Sequence, residues 1–412
     1  MRIFIGLAEF ANVTDTYAKG FRALGHEVYT MVSQSNPFYP DTNYDLVLSD
    51  VIPAQQSSLG KRLLSLGKWK RVMLSQFVRA LWTHDVFIFV FATSFFPNFV
   101  DYAILKLFRK KIVSVFLGSD VRYWYAFRER FRTLADSHQY LNPEHDEQFY
   151  GHRDNFYETQ LKKVKAAERY SDLILSQPDM DQLQSRPYMR VNIPLDLSRF
   201  RFSVPNRNVP LVLHAPSDRE IKGTKHILTA VEQLRAEGIR FEFRLIENVP
   251  NSKLREILAD ADIVIDQLWL TTVATLALES MACGNVVLAR YLPEISGIPA
   301  ECPVVNVTPE NLAAKLREVI LNQAHRHALA YAGRSYVEKY HDHVHIAQQT
   351  LDWLKPGGIQ QYDFKPTFFE NEFVMPADLL EEERKKLREL RSEGWPQRIR
   401  NVFRGERAIA KS

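Results

Sequence analysis

The sequence is poor in cysteine and has no long apolar run. Only Cys283 and Cys302 occur in 412 residues, which excludes a disulfide framework and suits a reducing compartment. The most apolar stretch, residues 86–100, lies between Asp85 and Asp101 and is shorter than the roughly 20 residues of a membrane-spanning helix. The N-terminus begins as a strand-like run without a small-residue cleavage site, so we expect no signal peptide and a cytoplasmic location.

A strong charge of one sign is also missing. The chain carries 53 basic and 49 acidic side chains, a net charge of +4, and no nucleic-acid-binding module is recognisable, which disfavours a nucleic-acid partner. Hydrophobic residues make up 46% and charged residues 25%, as in ordinary folded proteins. The length predicts two or three domains.

Residues 51–84 contain no acidic side chain. Leucines, tryptophans and other apolar residues alternate there with cations, so residues 60–82 resemble a basic amphipathic helix that lies on an anionic membrane surface. The alternative is a helix packed on a sheet with a solvated basic face, and we favour the membrane surface. The cations of the stretch are Lys61, Arg62, Lys68, Lys70, Arg71 and Arg79, and those that would extend it are Lys106, Arg109, Lys110 and Lys111.

Short apolar runs alternate with amphipathic segments along most of the chain, which predicts parallel sheets covered by helices on both faces. The pattern breaks at 192–209 and then restarts. We therefore expect an α/β protein with two doubly wound, Rossmann-like domains that face each other across a cleft. The expected segments are a first domain (1–191), a hinge (192–209), a second domain (210–355) and a helical C-terminal extension (356–412).

Ligands of such folds bind at the carboxyl ends of the strands, and two strand ends in the second domain carry suitable residues. After the strand that ends at His214 come Arg219, Lys222, Gly223 and Thr224. Glycine permits close approach of a ligand to the backbone, and a helix that starts at Thr224 as its N-cap would attract a diphosphate. An ordinary strand–loop–helix connection with a surface lysine is equally compatible with the spacing.

The next strand ends at Asp266 and precedes a helix that Thr271 or Thr272 could cap. That helix contains Glu279, whose carboxylate can accept two hydrogen bonds from the hydroxyls of a ribose. The alternative for Glu279 is a solvated helix glutamate, the default for any single glutamate.

Residues 210–354 resemble the donor-binding domain of GT-B glycosyltransferases, in particular the retaining glycosyltransferase family 4. The motifs are the loop that ends in Lys222-Gly223, the run Glu279-Ser-Met-Ala-Cys-Gly284 before Val286-Val287, and Val249-Pro250-Asn251. The resemblance implies that Lys222 contacts the donor diphosphate, that Glu279 binds the ribose and that Val249 and Pro250 lie beside the base. The resemblance extends more loosely to three other places. These are Ala11 and Asn12 in the first loop, the hinge, and the segment 118–122, which contains Asp120.

Three positions depart from the family pattern. Thr271 stands where the family has a first glutamate that contacts the donor sugar, Leu117 stands where many members have a histidine, and Ser217 stands where an arginine is usual. Arg219 is the nearby arginine of this chain. Asp120 is a candidate acceptor-side or catalytic carboxylate, and its alternative is a cap for a helix from Tyr123 to Phe131.

The resemblance implies transfer of a sugar from a nucleoside-diphosphate sugar to a glycan or lipid-linked glycan, with retention and without an obligatory metal or other cofactor. Lys222, Arg219 and the helix N-termini would stabilise the negative charge of the departing diphosphate. The alternatives are a sugar-nucleotide epimerase on the same fold and a non-catalytic GT-B scaffold or partner subunit.

Overall fold

The computed structural model describes residues 1–51, 59–123, 127, 157–180, 183–364, 381 and 385, with side chains omitted at 59–65, 157 and 158. Its strands form two sheets in which every neighbouring pair is parallel. The first sheet has the order β3-β2-β1-β4-β5-β6-β7 and the second has the order β12-β11-β10-β8-β9. The strands are β1 Arg2–Leu7, β2 Glu27–Val32, β3 Leu46–Val47, β4 Val86–Val90, β5 Lys111–Val115, β6 Leu173–Ser176, β7 Met189–Arg190, β8 Leu211–His214, β9 Glu242–Leu245, β10 Ile263–Ile265, β11 Val286–Ala289 and β12 Val305–Asn306.

Helices cover both faces of each sheet, as parallel sheets require. The central strands β4, β8, β10 and β11 are buried along their whole length, which explains why they are almost continuous runs of valine, isoleucine, leucine and phenylalanine. The helices are α1 Val13–Ala23, α2 Leu48–Val51, α3 Leu59–Thr83, α4 Val100–Leu107, α5 Tyr157–Tyr170, α6 Arg219–Lys222, α7 Thr224–Ala236, α8 Asn251–Leu258, α9 Thr275–Cys283, α10 Pro293–Ser296, α11 Leu312–Leu321, α12 Gln323–Tyr340 and α13 His343–Trp353.

Within the described residues, the chain passes between the two sheets twice, and the two connecting segments lie side by side. Leu195 pairs with the segment 341–343 through backbone hydrogen bonds in both directions. The buried His341 ring bonds the carbonyl oxygen of Ile193 at 2.9 Å. After the second crossing α13 packs on α1, where a Cβ at Gly20 would lie 2.2 Å from the carbonyl oxygen of His343. The last helix of the predicted second domain thus lies in the core of the first sheet.

The predicted α/β fold with two parallel sheets is confirmed. The strands predicted to end at His214 and Asp266 end at His214 and Ile265, a difference within the usual uncertainty of element ends. The short strands β3, β7 and β12 were not predicted because runs of two residues carry no periodicity. The segment boundaries remain a prediction. The extension 356–412 and the segment 123–131 fall largely outside the described residues. Among the helices that the structure describes, none combines the length and apolarity needed to cross a bilayer.

Candidate active site in the interdomain cavity

A cavity of about 480 Å³ lies between the two sheets. Its walls come from the segments that follow β1 and β2 in the first sheet and β8, β9 and β10 in the second, which are the carboxyl ends where ligands of parallel sheets bind. The cavity is therefore interdomain, as the sequence predicts. On one side it is lined by residues 9–11 and 34–39, and on the other by Ala215, Ser217, Ile221, Lys222, Val249, Asn251, Leu254, Leu270, residues 274–276 and Glu279.

Lys222 is buried in the cavity wall at the end of the short helix α6. Asp218 starts that helix, because its carboxylate accepts hydrogen bonds from the amides of Glu220 (2.9 Å) and Ile221 (3.0 Å). The Lys222 ammonium donates to Oδ1 of the fully buried Asp266 at 2.5 Å. The surface-lysine alternative is thus excluded, and the cation is held by a strand-end carboxylate at the edge of the cavity.

Thr224 is not the N-cap that the sequence predicts. The chain turns at Gly223, whose φ of 71° belongs to the left-handed region, and Gly223 both ends α6 and caps α7. A Cβ at this glycine would meet Leu268 and Trp269 at 3.0 Å. The Thr224 hydroxyl instead lies 2.9 Å from Nε2 of His214, whose Nδ1 lies 2.8 Å from the carbonyl oxygen of Ile265.

Burial lowers the pKa of His214 to about 4. The neutral ring can therefore donate from Nδ1 to the carbonyl and accept from Thr224 at Nε2. This pair anchors the first turn of α7 to the sheet. Neither Gly223 nor Thr224 lines the cavity, so the predicted contribution of this helix N-terminus to the site is not supported.

Glu279 is 4% exposed and faces the cavity from α9, which excludes the solvated alternative. The Asn251 side-chain amide donates to both carboxylate oxygens, at 2.9 and 3.0 Å, and Arg255 donates to Oδ1 of Asn251 at 2.5 Å. Burial raises the pKa of Glu279 to about 7, although the bond from Asn251 and the charge of Arg255 oppose this shift.

The N-terminus of α9 opens onto the cavity. Its N-cap is Ala274, which offers no side-chain acceptor, so the first amides of the helix lack a side-chain cap. Neither Thr271 nor Thr272 caps it, because the chain runs on for two further residues before the helix begins. The Thr271 hydroxyl donates to Asp179 of the first domain, and Thr272 lines a separate small pocket. Neither threonine lines the main cavity.

Arg219 does not line the cavity. Its guanidinium makes a bidentate bond with Glu247, at 2.7 and 2.5 Å, on an exposed surface. Ser217, which stands where the related family has arginine, does line the cavity. Of the two predicted cations, Lys222 lines the cavity and Arg219 does not in this conformation.

Asp120 is buried outside the cavity lining and closes the turn after β5. Its Oδ1 accepts hydrogen bonds from the amides of Leu117 (3.1 Å) and Gly118 (2.8 Å), which precede it, so the bonds are not those of an N-cap for a following helix. Burial raises its pKa to about 6. Leu117 packs against the core of the first sheet.

Of the remaining predicted contacts, Ala11 and Val249 line the main cavity and Pro250 does not. Asn12 lines a smaller adjoining pocket that shares Ala11 and Glu279 with the main one. Sequence reasoning missed Glu9, the loop 34–39 and the role of Asn251. Asn251 directly follows the Val249-Pro250 pair, so its position in that motif could have identified it as a site residue. The other two lie after β1 and β2, and only their position at strand ends could have identified them.

The comparisons with known proteins agree with this architecture. Residues 219–352 match the model of a family described as glycosyl transferase-like. A sucrose-phosphate synthase from Thermosynechococcus elongatus has a similar fold, with a TM-score of 0.57 and 14% identity over 85% of this chain and 97% of that one. An alpha-glucosyltransferase solved with UDP and DNA has a TM-score of 0.54 and 12% identity over 86% and 99% of the two chains. No curated protein matches the sequence.

Two facing parallel sheets with a cavity at their carboxyl ends define a GT-B fold. Within that fold, residues 219–352 of the second domain are similar to a glycosyl transferase-like family. The resemblance to GT-B glycosyltransferases is confirmed, and the assignment to retaining family 4 remains a prediction.

Proposed function

We propose that the protein transfers a sugar from a nucleoside-diphosphate sugar to a hydroxyl group of a glycan or lipid-linked glycan, with retention and without a required metal. The observation that carries this proposal is the wall of the interdomain cavity, which holds Lys222, the uncapped N-terminus of α9 and Glu279. A cation and free helix amides suit a diphosphate, and a buried carboxylate suits the ribose hydroxyls beside it.

During transfer the bond between the anomeric carbon and the diphosphate breaks, and negative charge develops on the diphosphate. Lys222 and the α9 amides would stabilise that charge, as pre-organised cations and amide dipoles do at developing anions. Asn251 and Arg255 orient the Glu279 carboxylate from behind. The wall is thus pre-organised for the nucleotide part of a donor.

Nucleoside diphosphate release from a panel of UDP-, GDP-, ADP- and dTDP-sugars tests the proposal. UDP-sugars come first because the glucosyltransferase of similar fold was solved with UDP. We expect slow release from one donor, undiminished by EDTA. An intact nucleotide sugar with a changed sugar would identify an epimerase. Binding of a donor without turnover, even with glycan acceptors, would favour the non-catalytic scaffold. The hydrogen bond that Thr271 donates to Asp179 also favours that alternative.

A membrane-borne acceptor is supported by the surface of α3. From residue 66 onward, Met73 and Phe77 pack into the first domain, while Leu74, Val78 and Trp82 form an exposed stripe at a spacing of four residues. Trp82 meets Phe108, which follows α4, edge-to-face at 5.4 Å. Leu107 beside it is 80% exposed. The two helices together present a continuous apolar surface.

Cations border this surface, but fewer than the sequence suggests. Lys70, Arg71 and Arg109 are exposed. Lys106 and Lys111 pair with Asp172, and Lys110 donates to the carbonyl oxygen of His84 at 2.7 Å. Lys61 and Arg62 lie outside the described side chains. We propose that exposed apolar side chains, assisted by the remaining cations, hold the protein on an anionic membrane.

Leu74→Glu combined with Leu107→Glu should release the protein from vesicles. Each leucine contributes about 1.5–3 kcal/mol when its side chain is fully buried, so the double variant should lose at least tenfold in vesicle affinity. Co-sedimentation with phosphatidylglycerol-containing and pure phosphatidylcholine vesicles measures this. The matched control is Leu321→Glu, at a 65% exposed leucine on the second domain. Wild type that stays in the supernatant to the same extent with the anionic vesicles as with the neutral ones would contradict the proposal.

A further inference from the structure

Glu9 lines the interdomain cavity, and one of its carboxylate oxygens has no hydrogen-bond partner within the described part of the chain. It follows β1 by two residues and lines the side of the cavity formed by the first domain. Its Oε2 accepts a hydrogen bond from the Tyr44 hydroxyl at 2.6 Å. Its Oε1 is buried and, within the described part of the chain, makes no hydrogen bond. A buried polar atom without a partner is costly, which indicates that a ligand supplies the missing donor.

The surroundings hold this carboxylate in place and tune its charge. Burial raises the pKa of Glu9 to about 7. Asp15, which is paired with Lys19 at 2.7 Å, raises the pKa further by its negative charge. The Tyr44 hydrogen bond and the nearby amides of Asp15 and Asn12 lower it. The amides do not reach Oε1 as hydrogen bonds.

Glu9 is also close to the predicted ribose site. Tyr39 lines the same cavity, and the negative charges of both Glu279 and Glu9 raise the pKa of its hydroxyl, in addition to the effect of burial. The cavity thus has a carboxylate on each side of the domain boundary. Glu279 is already bonded by Asn251, whereas Glu9 keeps one oxygen free.

We propose that Glu9 Oε1 accepts the hydrogen bond of the attacking acceptor hydroxyl and holds that hydroxyl against the donor sugar. This inference rests on the proposed function and deepens it. In the step, the acceptor oxygen forms a bond to the anomeric carbon while the bond from that carbon to the diphosphate breaks. The electron pair leaves with the diphosphate, and the hydroxyl proton passes to a diphosphate oxygen, so Glu9 remains ionised.

Ionised Glu9 can only accept hydrogen bonds, whereas protonated Glu9 can donate one. Because its raised pKa lies near 7, the accepting form prevails above that pH and is lost below it. The rate should therefore fall on the acid side with an apparent pKa of about 7. Removal of the Tyr44 hydroxyl takes away an interaction that lowers this pKa, so Tyr44→Phe should move the acid limb to higher pH.

Water can stand in for the acceptor, so the test needs no known glycan. Hydrolysis of the donor found in the panel is measured from pH 5 to pH 9 for wild type, Glu9→Gln and Tyr44→Phe, together with donor affinity by calorimetry. The donor is kept saturating at every pH, so that the titration of Glu279 in donor binding does not affect the rate. Misplacing the attacking group should cost about 10²-fold in rate. We expect that loss in Glu9→Gln, at unchanged donor affinity and without the acid limb, and an upward shift of the limb in Tyr44→Phe.

Hydrolysis by Glu9→Gln at the wild-type rate and with the wild-type pH profile would overturn the inference while leaving the proposed function intact. A wild-type protein that binds the donor but does not hydrolyse it would also count against the inference. Failure of wild type to bind any nucleotide sugar would instead contradict the proposed function itself. Thermal melting of each variant separates these outcomes from a folding defect.

Discussion

Replacement of Lys222 by methionine is expected to lower nucleoside diphosphate release by about 10²–10³-fold, the usual cost of losing one donor to a developing anion. Methionine keeps much of the apolar stem and removes only the ammonium. Its neighbours at the cavity wall, Ile221 and Ser217, cannot replace a cation. Arg219 is held by Glu247, so we do not expect it to compensate.

The same substitution should also destabilise the protein, because Asp266 is 0% exposed and its Oδ1 is bonded by Lys222. Loss of one member of a buried ion pair typically costs about 3–5 kcal/mol. The double variant Lys222→Met with Asp266→Asn removes both charges and should regain much of the lost stability. It should not regain activity, since the cation is still absent.

Thermal unfolding and product release, measured on the single and double variants, separate the two roles of Lys222. Recovery of both stability and activity in the double variant would show that Lys222 acts only through the fold. Release at the wild-type rate in a folded single variant would remove Lys222 from the mechanism. Arg219→Met serves as a control for loss of a nearby cation, and we expect it to affect the rate far less.

Replacement of Glu279 by alanine is expected to abolish recognition of the ribose. A hydrogen bond to a charged group contributes about 1.5–3 kcal/mol, so wild type should prefer a nucleoside diphosphate over its 2′,3′-dideoxy analogue by at least tenfold. In the variant the two ligands should bind equally. The dideoxy analogue is the matched control, because its affinity should change little between the two proteins.

The binding should also depend on pH. The pKa of Glu279 is raised to about 7 in the folded protein, so the carboxylate, the better acceptor for the ribose hydroxyls, predominates above that pH. Affinity for the ribonucleotide should therefore increase as pH rises through about 7, and affinity for the dideoxy analogue should not. Calorimetric titrations at three pH values measure this difference. A wild-type protein that binds both ligands equally would contradict the ribose role.

The fold could be predicted because its determinants are local. Buried parallel strands require continuous apolar runs, and the strands predicted before His214 and Asp266 are present as β8 and β10. The same holds for the helix that begins at Thr224. The edge strands β3, β7 and β12 have two residues each and depend on pairing with a neighbour, which a local pattern cannot reveal.

The candidate site was predictable only in part. Lys222 and Glu279 follow from motif spacing, and the structure brings both to one cavity. The side-chain partners could not be predicted, since Asp266, Glu247 and Asp179 are distant in sequence from the residues that they engage. For the same reason the capping roles of Thr224 and Thr271 were wrong. Both threonine hydroxyls form hydrogen bonds with residues distant in sequence, and Gly223 and Ala274 occupy the N-cap positions instead.

The central claim is that the interdomain cavity binds the nucleoside diphosphate of a sugar donor. Titration calorimetry of wild type with UDP, GDP, ADP and dTDP tests it most directly, because it requires neither the sugar nor the acceptor. The account predicts that one of these nucleotides binds at a single site and that Lys222→Met with Asp266→Asn, in folded form, loses that binding. Absence of binding for all four, or equal binding by the double variant, would contradict the account.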